Sequence, residues 1–204
     1  MCSRYCLTSP PETVRALFGV GPFEPFPPRA AIAPTEPVAI IRQSTRGTAE
    51  LALVRWGLLP PWVKDPRDFA TLFNARLETV EEKPSFRGAI RHRRCLIPAD
   101  AWIEWSGPKR ARSRWRIGRR DRGLMAFAGL WEHWLGADGS ELETMAILTT
   151  AANATVAPIH ERMPVILAEP HFAAWLDCRS GSAVEALPLL TPTPNDVLEV
   201  VSDA

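Results

Sequence analysis

The sequence has no long apolar run and no marked excess of charge of either sign. Its 204 residues carry a formal net charge of +1, so the overall charge does not point to a nucleic-acid partner. No stretch approaches the roughly 20 apolar residues that cross a bilayer. Residues 1–4, Met-Cys-Ser-Arg, lack the apolar core of a signal peptide. These absences predict a soluble cytoplasmic protein.

Cysteine is scarce and unpaired in the sequence. Cys2, Cys6, Cys95 and Cys178 form no CxxC pair and match no zinc-finger spacing. Reduced, mostly structural thiols are the rule for a cytosolic chain. Cys2 and Cys6 are close enough in sequence to share a metal, but the histidines and the remaining cysteines are scattered, so the sequence favours reduced thiols over a metal site or a disulfide framework.

The chain has one tyrosine, yet it has 8 tryptophans and 20 prolines. Because proline breaks long helices and central strands, its abundance favours short strands joined by irregular loops. No repeat, low-complexity segment or change of composition marks a linker. We expect one domain over residues 1–204, of the α+β class and rich in antiparallel strands.

Local patterns place the main elements. A helix is predicted to begin at Ser9 as N-cap, with Glu12 three residues on, and to end near Gly19. Asp138-Gly139 predicts a tight hairpin turn. The predicted strands are short apolar or alternating runs, at Val38–Arg42, Leu51–Trp56, Arg94–Pro98, Ala101–Trp105, Met125–Trp131, Glu143–Thr149 and Met163–Leu167.

The chemically most distinctive residue is Cys2. A cysteine after the initiator generally allows Met1 to be removed, which leaves an α-amine and a thiol on adjacent carbons. Their reference pKa values, about 7.7–8.0 and 8.5, give each an appreciable nucleophilic fraction near neutrality. A 1,2-aminothiol can condense with an aldehyde and close a five-membered thiazolidine ring. The alternative is an incidental residue of a frayed terminus.

Three polar residues stand in apolar settings, where buried function is often found. In a strand, Glu104 shares a face with Trp102, and loss of water there raises a carboxyl pKa toward values useful for general acid or base catalysis. His160 stands before a predicted core strand, and Asn74 follows an apolar residue. The alternatives are a solvated edge glutamate, a structural histidine and a turn or capping asparagine.

Arginines interleaved with tryptophans form a separate candidate surface. Lys109–Arg122 carries eight basic residues and one acid. Within it Arg112, Arg114 and Arg116 recur with the two-residue period of a strand that has one cationic face. Cations that contact phosphates and aromatic rings that stack on bases are the components of a single-strand binding groove. The alternative is an ordinary solvated face.

An ordered set of sequence blocks resembles the SRAP family, the SOS-response-associated peptidase-like proteins that shield abasic sites in single-stranded DNA. Two departures are Ser3, where the family usually has glycine, and Ala101-Trp102-Ile103, where it usually has a Gly-Phe-Tyr-like run. The blocks are residues 1–5 (MCSRY), 56–62 (WGLLPPW), 74–79 (NARLET), 94–100 (RCLIPAD), 103–105 (IEW), 128–132 (AGLWE), 149–153 (TTAAN) and 159–164 (IHERMP).

The resemblance implies a pseudo-barrel-like fold with short peripheral helices, and a reaction at Cys2. The Cys2 amine would form a Schiff base with the open-chain aldehyde of an abasic site, and the thiol would close a thiazolidine crosslink. Glu104 would move protons, Asn74 would orient the terminal residue, and His160 would act as an acid–base, with possible strand cleavage as a lyase.

The same resemblance implies DNA contacts by Arg4, Arg76 and Arg162 and stacking by Trp62 and Trp105, with no metal or other cofactor. We further expect a monomer with no obligate protein partner, because so small a basic cleft needs no partner subunit, and we expect it to be associated with the nucleoid when bound to DNA. Two alternatives remain open. One is a peptidase in which Cys2 is the nucleophile and His160 the base, with self-removal of Met1 as its minimal activity. The other is a non-covalent single-stranded DNA-binding module in which Cys2 is idle.

Overall fold

The structure, a computed structural model, describes residues 2–108, 110–179 and 183–202. Within these ranges four short α-helices lie among twelve strands. The helices are α1 (Pro11–Phe18), α2 (Arg87–His92), α3 (Phe172–Leu176) and α4 (Ala183–Ala186). The strands are β1 (Tyr5–Leu7), β2 (Arg29–Ile32), β3 (Pro37–Gln43), β4 (Ala49–Trp56), β5 (Asn74–Arg76), β6 (Arg94–Ala99), β7 (Ala101–Ser106), β8 (Ser113–Arg119), β9 (Met125–Leu135), β10 (Glu141–Ala151), β11 (Arg162–Pro164) and β12 (Leu198–Ser202).

Five of these strands close into a barrel in the order β4-β3-β6-β9-β10, because β10 pairs both with β9 and with β4. The β10–β4 pairing is parallel and the other pairings around the barrel are antiparallel. Two short strands extend from β10: β5 pairs with it in parallel and β11 antiparallel. Closure leaves the barrel without free edges in its wall.

A second, antiparallel sheet has the order β12-β8-β7-β1-β2 and packs on the barrel. The packing is aromatic: the Tyr5 ring lies 5.3 Å from that of Trp56 and 6.2 Å from that of Phe127. Trp102, the cross-strand partner of Tyr5, places its ring 6.0 Å from that of Phe127. The start of the chain is therefore an interior strand of a sheet, held by the core.

A buried arginine joins two helices to the barrel wall. Arg94, 1% exposed, donates to the carbonyls of Ile90 at the end of α2 and of Trp175 in α3. It also donates to the carbonyl of Asp177 just after α3. The last carbonyls of a helix have no partner within the helix, so Arg94 supplies donors that both helix ends require.

The sequence expectations for the fold are confirmed in outline: the fold is α+β, with mainly antiparallel strands, a barrel and short peripheral helices. The expected N-cap is wrong. Helix α1 begins after Pro10, with no capping side-chain bond, because the Ser9 hydroxyl and amide both donate to the Asp100 carboxylate. Lys109, the first residue of the predicted basic run, lies outside the described residues.

Candidate functional site

Cys2 is fully buried, with 0% of its surface exposed. Its thiol donates to the carbonyl oxygen of Arg4 at 3.8 Å, and that oxygen also accepts from the amide of Ile103, at 2.9 Å. Cys2 is thereby anchored to the strand that carries Glu104. The frayed-terminus alternative is wrong for Cys2.

Asn74 connects the barrel to the terminal segment. As the first residue of β5 it pairs with Ile147 of β10, and its side-chain Nδ2 donates to the carbonyl oxygen of Cys2 at 2.9 Å. Its Oδ1 is buried and accepts no hydrogen bond from the described residues. The Asn74 side chain therefore holds the Cys2 backbone through its Nδ2–H. Its buried Oδ1 remains an acceptor for an N–H or O–H group of a bound ligand.

Glu104 lies on β7, 3% exposed, on the face of the sheet that carries Trp102. Burial raises the pKa of its carboxyl to about 7, while the positive charge of the chain's amino terminus and the amide of Trp105 act in the opposite direction. A carboxyl with a pKa of about 7 exchanges its proton readily near neutrality, which suits a general acid–base. The expectation of a desolvated glutamate on an aromatic wall is confirmed.

The same burial changes the chemistry of the thiol. Desolvation raises the pKa of Cys2 well above its ordinary value, and the nearby Glu104 charge raises it further. The expectation of an appreciable thiolate fraction near neutrality is therefore wrong for this environment. An unassisted attack by sulfur is disfavoured, and the thiol requires a base to take its proton.

His160 follows the turn that leads into β11. Its Nδ1 lies 2.9 Å from the backbone amide nitrogen of Arg162 and 3.2 Å from the carbonyl oxygen of the same residue, so either neutral tautomer of the ring has a backbone partner. Burial lowers the pKa of His160, and the positive charge of the amino terminus lowers it further. Burial therefore favours the uncharged form of the His160 ring near neutral pH.

The three predicted phosphate-binding arginines differ in how much of each guanidinium is already engaged. Arg162 forms a two-bond ion pair with Glu78, at 2.7 and 2.8 Å, and donates to the carbonyl of Thr149. Arg4 donates to the carbonyl of Ser3. Arg76 is exposed at the end of β5. A phosphate at Arg162 would therefore compete with a carboxylate, whereas Arg76 faces solvent.

The two predicted stacking tryptophans lie in different places. Trp105 is half-buried on β7, directly opposite Arg114 of β8. Trp62 is 56% exposed and packs edge-on against Phe69, beside a small apolar cluster that contains Trp134. Trp62 also lines a cleft of about 510 Å³ with Arg87 and Arg91.

Sequence reasoning missed two groups near the site. Glu78, which neutralises Arg162, lies in the same sequence block as Asn74 and Arg76. Tyr5 lies close enough to Cys2 for the charges of the two groups to interact, and burial raises its pKa. Its hydroxyl is buried with no hydrogen-bond partner among the described residues. For Glu78 the available signal was its position in residues 74–79, one of the blocks of the resemblance. For Tyr5 it was its position in the first block, residues 1–5.

The family model for SOS response associated peptidase (SRAP) matches residues 1–202. The chain belongs to the SRAP family. It is 38% identical to "Abasic site processing protein YoaM" of Bacillus subtilis, across 98% of this chain and 89% of that protein. It is 29% identical to "Abasic site processing protein HMCES" of Rattus norvegicus, across 73% of this chain and 51% of that protein.

Solved structures give the same SRAP fold. A crystal structure of a Bacteroides thetaiotaomicron protein matches with a TM-score of 0.89 and 27% identity, covering 98% of this chain and 91% of that one. A Bordetella bronchiseptica protein matches with a TM-score of 0.86 and 29% identity over the full length of both chains. In the part of the SRAP chain that the structure describes, no helix is long and apolar enough to cross a membrane.

Proposed function

We propose that this protein senses and shields abasic sites in single-stranded DNA by forming a covalent thiazolidine crosslink through Cys2 after removal of Met1. The names of its relatives, abasic site processing proteins, support the substrate. One observation supports this chemistry: three residues that are far apart in sequence meet in the fold. The Asn74 side chain donates a hydrogen bond to the Cys2 carbonyl oxygen, and the Glu104 carboxyl interacts electrostatically with the Cys2 thiol.

The reaction proceeds in two stages. The Cys2 amine adds to the aldehyde carbon of the ring-opened abasic sugar, and loss of water gives a Schiff base. The sulfur then adds to the imine carbon and the thiol proton passes to nitrogen, so one water is released overall. Because the thiol pKa is raised, the amine reacts first and the thiol needs a proton acceptor.

Glu104 is the group suited to these transfers. With a pKa of about 7, it is present in both protonation states near neutrality. The acid form protonates the departing carbinolamine oxygen, and the base form accepts a proton from the thiol. Asn74 fixes the Cys2 backbone and offers its buried Oδ1 to the new amine.

His160 and the arginines act on the DNA. His160 acts as an acid–base near the sugar hydroxyls or the phosphate, and in a lyase reaction it would assist departure of the phosphate from the Schiff base. Arg4, Arg76 and Arg162 hold phosphates, and Trp62 and Trp105 stack on bases. No metal ion or other cofactor enters these steps.

We infer further that residues 1–204 work as one monomeric domain in the cytoplasm, at the nucleoid when bound to DNA. Self-removal of Met1 is the minimal peptidase activity, in keeping with the family's description. A general cysteine peptidase is less well supported, because burial raises the pKa of the Cys2 thiol and so disfavours the thiolate nucleophile.

The test is adduct formation on single-stranded DNA with one abasic site, followed by denaturing gels and intact mass. Wild-type protein should give a stable adduct whose mass corresponds to loss of one water. Cys2→Ser keeps the amine and should give an adduct only when borohydride reduces the Schiff base. Cys178→Ser, which changes a half-buried thiol elsewhere, should behave as wild type.

A variant that retains Met1 tests whether the reaction needs the free α-amine of Cys2 as well as its thiol. A variant with a bulky residue inserted after Met1 keeps the initiator and should form no adduct. An adduct of undiminished yield in that variant, or in Cys2→Ala, would overturn the proposal. Non-covalent binding alone, unchanged by Cys2→Ala, would favour the binding module.

A further inference from the structure

The barrel has two ends, and the reaction proposed at Cys2 uses only one of them. At that end Trp56, the last residue of β4, packs its ring against that of Tyr5 in β1. Glu50 lies six positions earlier on β4, about 20 Å away at the rise of a strand. The start of β4 therefore lies at the opposite end of the barrel from Cys2.

Strand register places four side chains on the interior face of the barrel at this opposite end. Trp56 and Met145 are paired in the barrel wall, and both are fully buried. Positions an even number of residues away on the same strand point inward with them, and a directly opposite antiparallel partner shares the face of its neighbour. The residues that meet these conditions, called here the far mouth, are Arg42, Glu50, Trp131 and Glu143.

Arg42 is the centre of the far mouth. Its Nε donates to Oε1 of Glu50 at 2.8 Å, and its Nη1 donates to Oε1 of Glu143 at 2.5 Å. Its guanidinium carbon lies 4.4 Å from the centroid of the Trp131 ring. Both carboxylates are partly exposed. Their second oxygens form no hydrogen bond with any residue that the structure describes, so each remains an acceptor for a ligand.

A cleft of about 530 Å³ opens over the far mouth. Its lining adds the exposed His92 and Arg179, the buried Leu176 and the half-buried Cys178. The volume lies within the range of small-molecule sites, about 300–1,000 Å³, and mouths of β-barrels are among the places where such sites occur. Leu176 and the Trp131 ring supply the apolar surface that such sites require.

Charges of opposite sign are balanced in this cleft. The Arg94 guanidinium is buried against the carbonyl of Trp175 and faces the helices. The remaining charged side chains of the lining are two arginines and two glutamates, Arg42, Arg179, Glu50 and Glu143. An anion would meet the two carboxylates, and a cation would meet the two guanidiniums. A ligand that carries one charge of each sign is matched to both.

We propose that the far mouth binds a small zwitterion, an α-amino acid with an apolar side chain. Its ammonium group donates to the second oxygens of Glu50 and Glu143. Its carboxylate accepts from Arg179 at the rim, and its side chain packs against Leu176. The site is independent of the function proposed above, because it lies at the other end of the barrel from Cys2.

Three probes of similar shape test the charge requirement on the wild-type protein by isothermal titration calorimetry. L-Leucine carries both charges, 4-methylpentanoate lacks the ammonium group and 3-methylbutylamine lacks the carboxylate. Leucine should bind at least about tenfold more tightly than either analogue, because each analogue loses hydrogen bonds between charged groups. Equal affinity of the three probes, or no saturable binding of leucine up to about 10 mM, would overturn the proposal.

Cys178 supplies a local reporter of occupancy. It lines the cleft and is half-buried, whereas Cys2, Cys6 and Cys95 are buried. Alkylation of Cys178 by iodoacetamide, followed by peptide mass spectrometry, should slow about tenfold when leucine is present at about ten times its dissociation constant, since only the free protein reacts. An unchanged rate under these conditions would show that leucine binds elsewhere and would exclude the far mouth.

Two substitutions test the assignment of the two charges. Glu143→Gln should weaken leucine binding about tenfold and leave 4-methylpentanoate binding unchanged. Arg179→Gln should weaken both of these probes and leave 3-methylbutylamine binding unchanged. Glu81→Gln and Arg15→Gln, at exposed positions outside the cleft, are the matched controls. Leucine affinity that falls equally in variants and controls, or in none of them, contradicts the assignment. The probe comparison on wild-type protein holds even where a variant does not fold.

Discussion

The side-chain Nδ2 of Asn74 lies 2.9 Å from the carbonyl oxygen of Cys2, across 72 positions of sequence. This bond ties the barrel strand β5 to the segment that precedes β1. It fixes the backbone of the residue proposed to react, and it places a buried amide oxygen nearby.

Replacement of Asn74 by aspartate tests this bond. The change keeps the shape but replaces the Nδ2 donor by a carboxylate oxygen that repels the Cys2 carbonyl. Since a lost hydrogen bond of this kind costs about 1–3 kcal/mol, adduct formation should slow by about 5- to 150-fold. The measurement is single-turnover kinetics on an abasic strand. Asn153→Asp, whose side-chain amide bonds the Thr193 carbonyl instead, serves as control and should leave the rate unchanged.

The raised pKa of Glu104 predicts that the stability of the protein depends on pH. Its folded-state pKa is about 7 against an ordinary 4.5, so between these values the folded protein keeps a proton that the unfolded chain has released. The free energy of unfolding therefore falls as pH rises through this window, by at most about 3 kcal/mol at pH 8. Urea titrations at pH 5 and pH 8 measure the fall.

Glu104→Gln should remove that dependence and separate stability from activity. The variant should be more stable than wild type at pH 8, yet it should form the adduct more slowly, while its affinity for undamaged DNA stays the same. Glu82→Gln, at an exposed position, is the matched control. A variant that reacts at the wild-type rate would refute the role proposed for this carboxyl.

Because Glu78 occupies the guanidinium of Arg162, we expect removal of the Glu78 carboxylate to increase the affinity for DNA. Glu78 is half exposed, so the pair itself contributes about 0–1 kcal/mol to stability. Glu78→Gln should leave the unfolding midpoint nearly unchanged and release the guanidinium toward a phosphate, tightening single-strand binding about threefold. Binding curves at low salt measure this, and tightening that persists in Glu78→Gln/Arg162→Gln would exclude Arg162 as its source.

Arg94 should be a stability residue with no part in the chemistry. Arg94→Leu leaves buried carbonyls of Ile90, Trp175 and Asp177 without their donor, at a cost of about 1–3 kcal/mol for each unsatisfied group. We expect a loss of at least about 3 kcal/mol in the free energy of unfolding, measured by urea titration. Arg91→Gln, an exposed neighbour, should lose little.

Local sequence patterns were sufficient for elements whose residues decide their own conformation. The alternation of Arg112, Arg114 and Arg116 with Trp115 predicts a two-faced strand. Arg114 and Arg116 lie on β8 in that form, whereas Arg112 precedes the strand. The Asp138-Gly139 turn predicts the β9–β10 hairpin. The helix start at Ser9 failed, because a tertiary partner, Asp100, takes the hydroxyl that local preference assigns to the helix.

By itself the sequence determined the α+β class, the family resemblance and the reactivity expected of a cysteine that follows the initiator methionine. These properties depend on residue type and order. Only the tertiary structure decided which of the candidate residues meet. The fold forms a hydrogen bond between Asn74 and Cys2, brings Glu104 within electrostatic range of the Cys2 thiol, and forms an ion pair between Arg162 and Glu78. It also raised the pKa of both Cys2 and Glu104, because loss of water on burial depends on packing contributed by the whole chain.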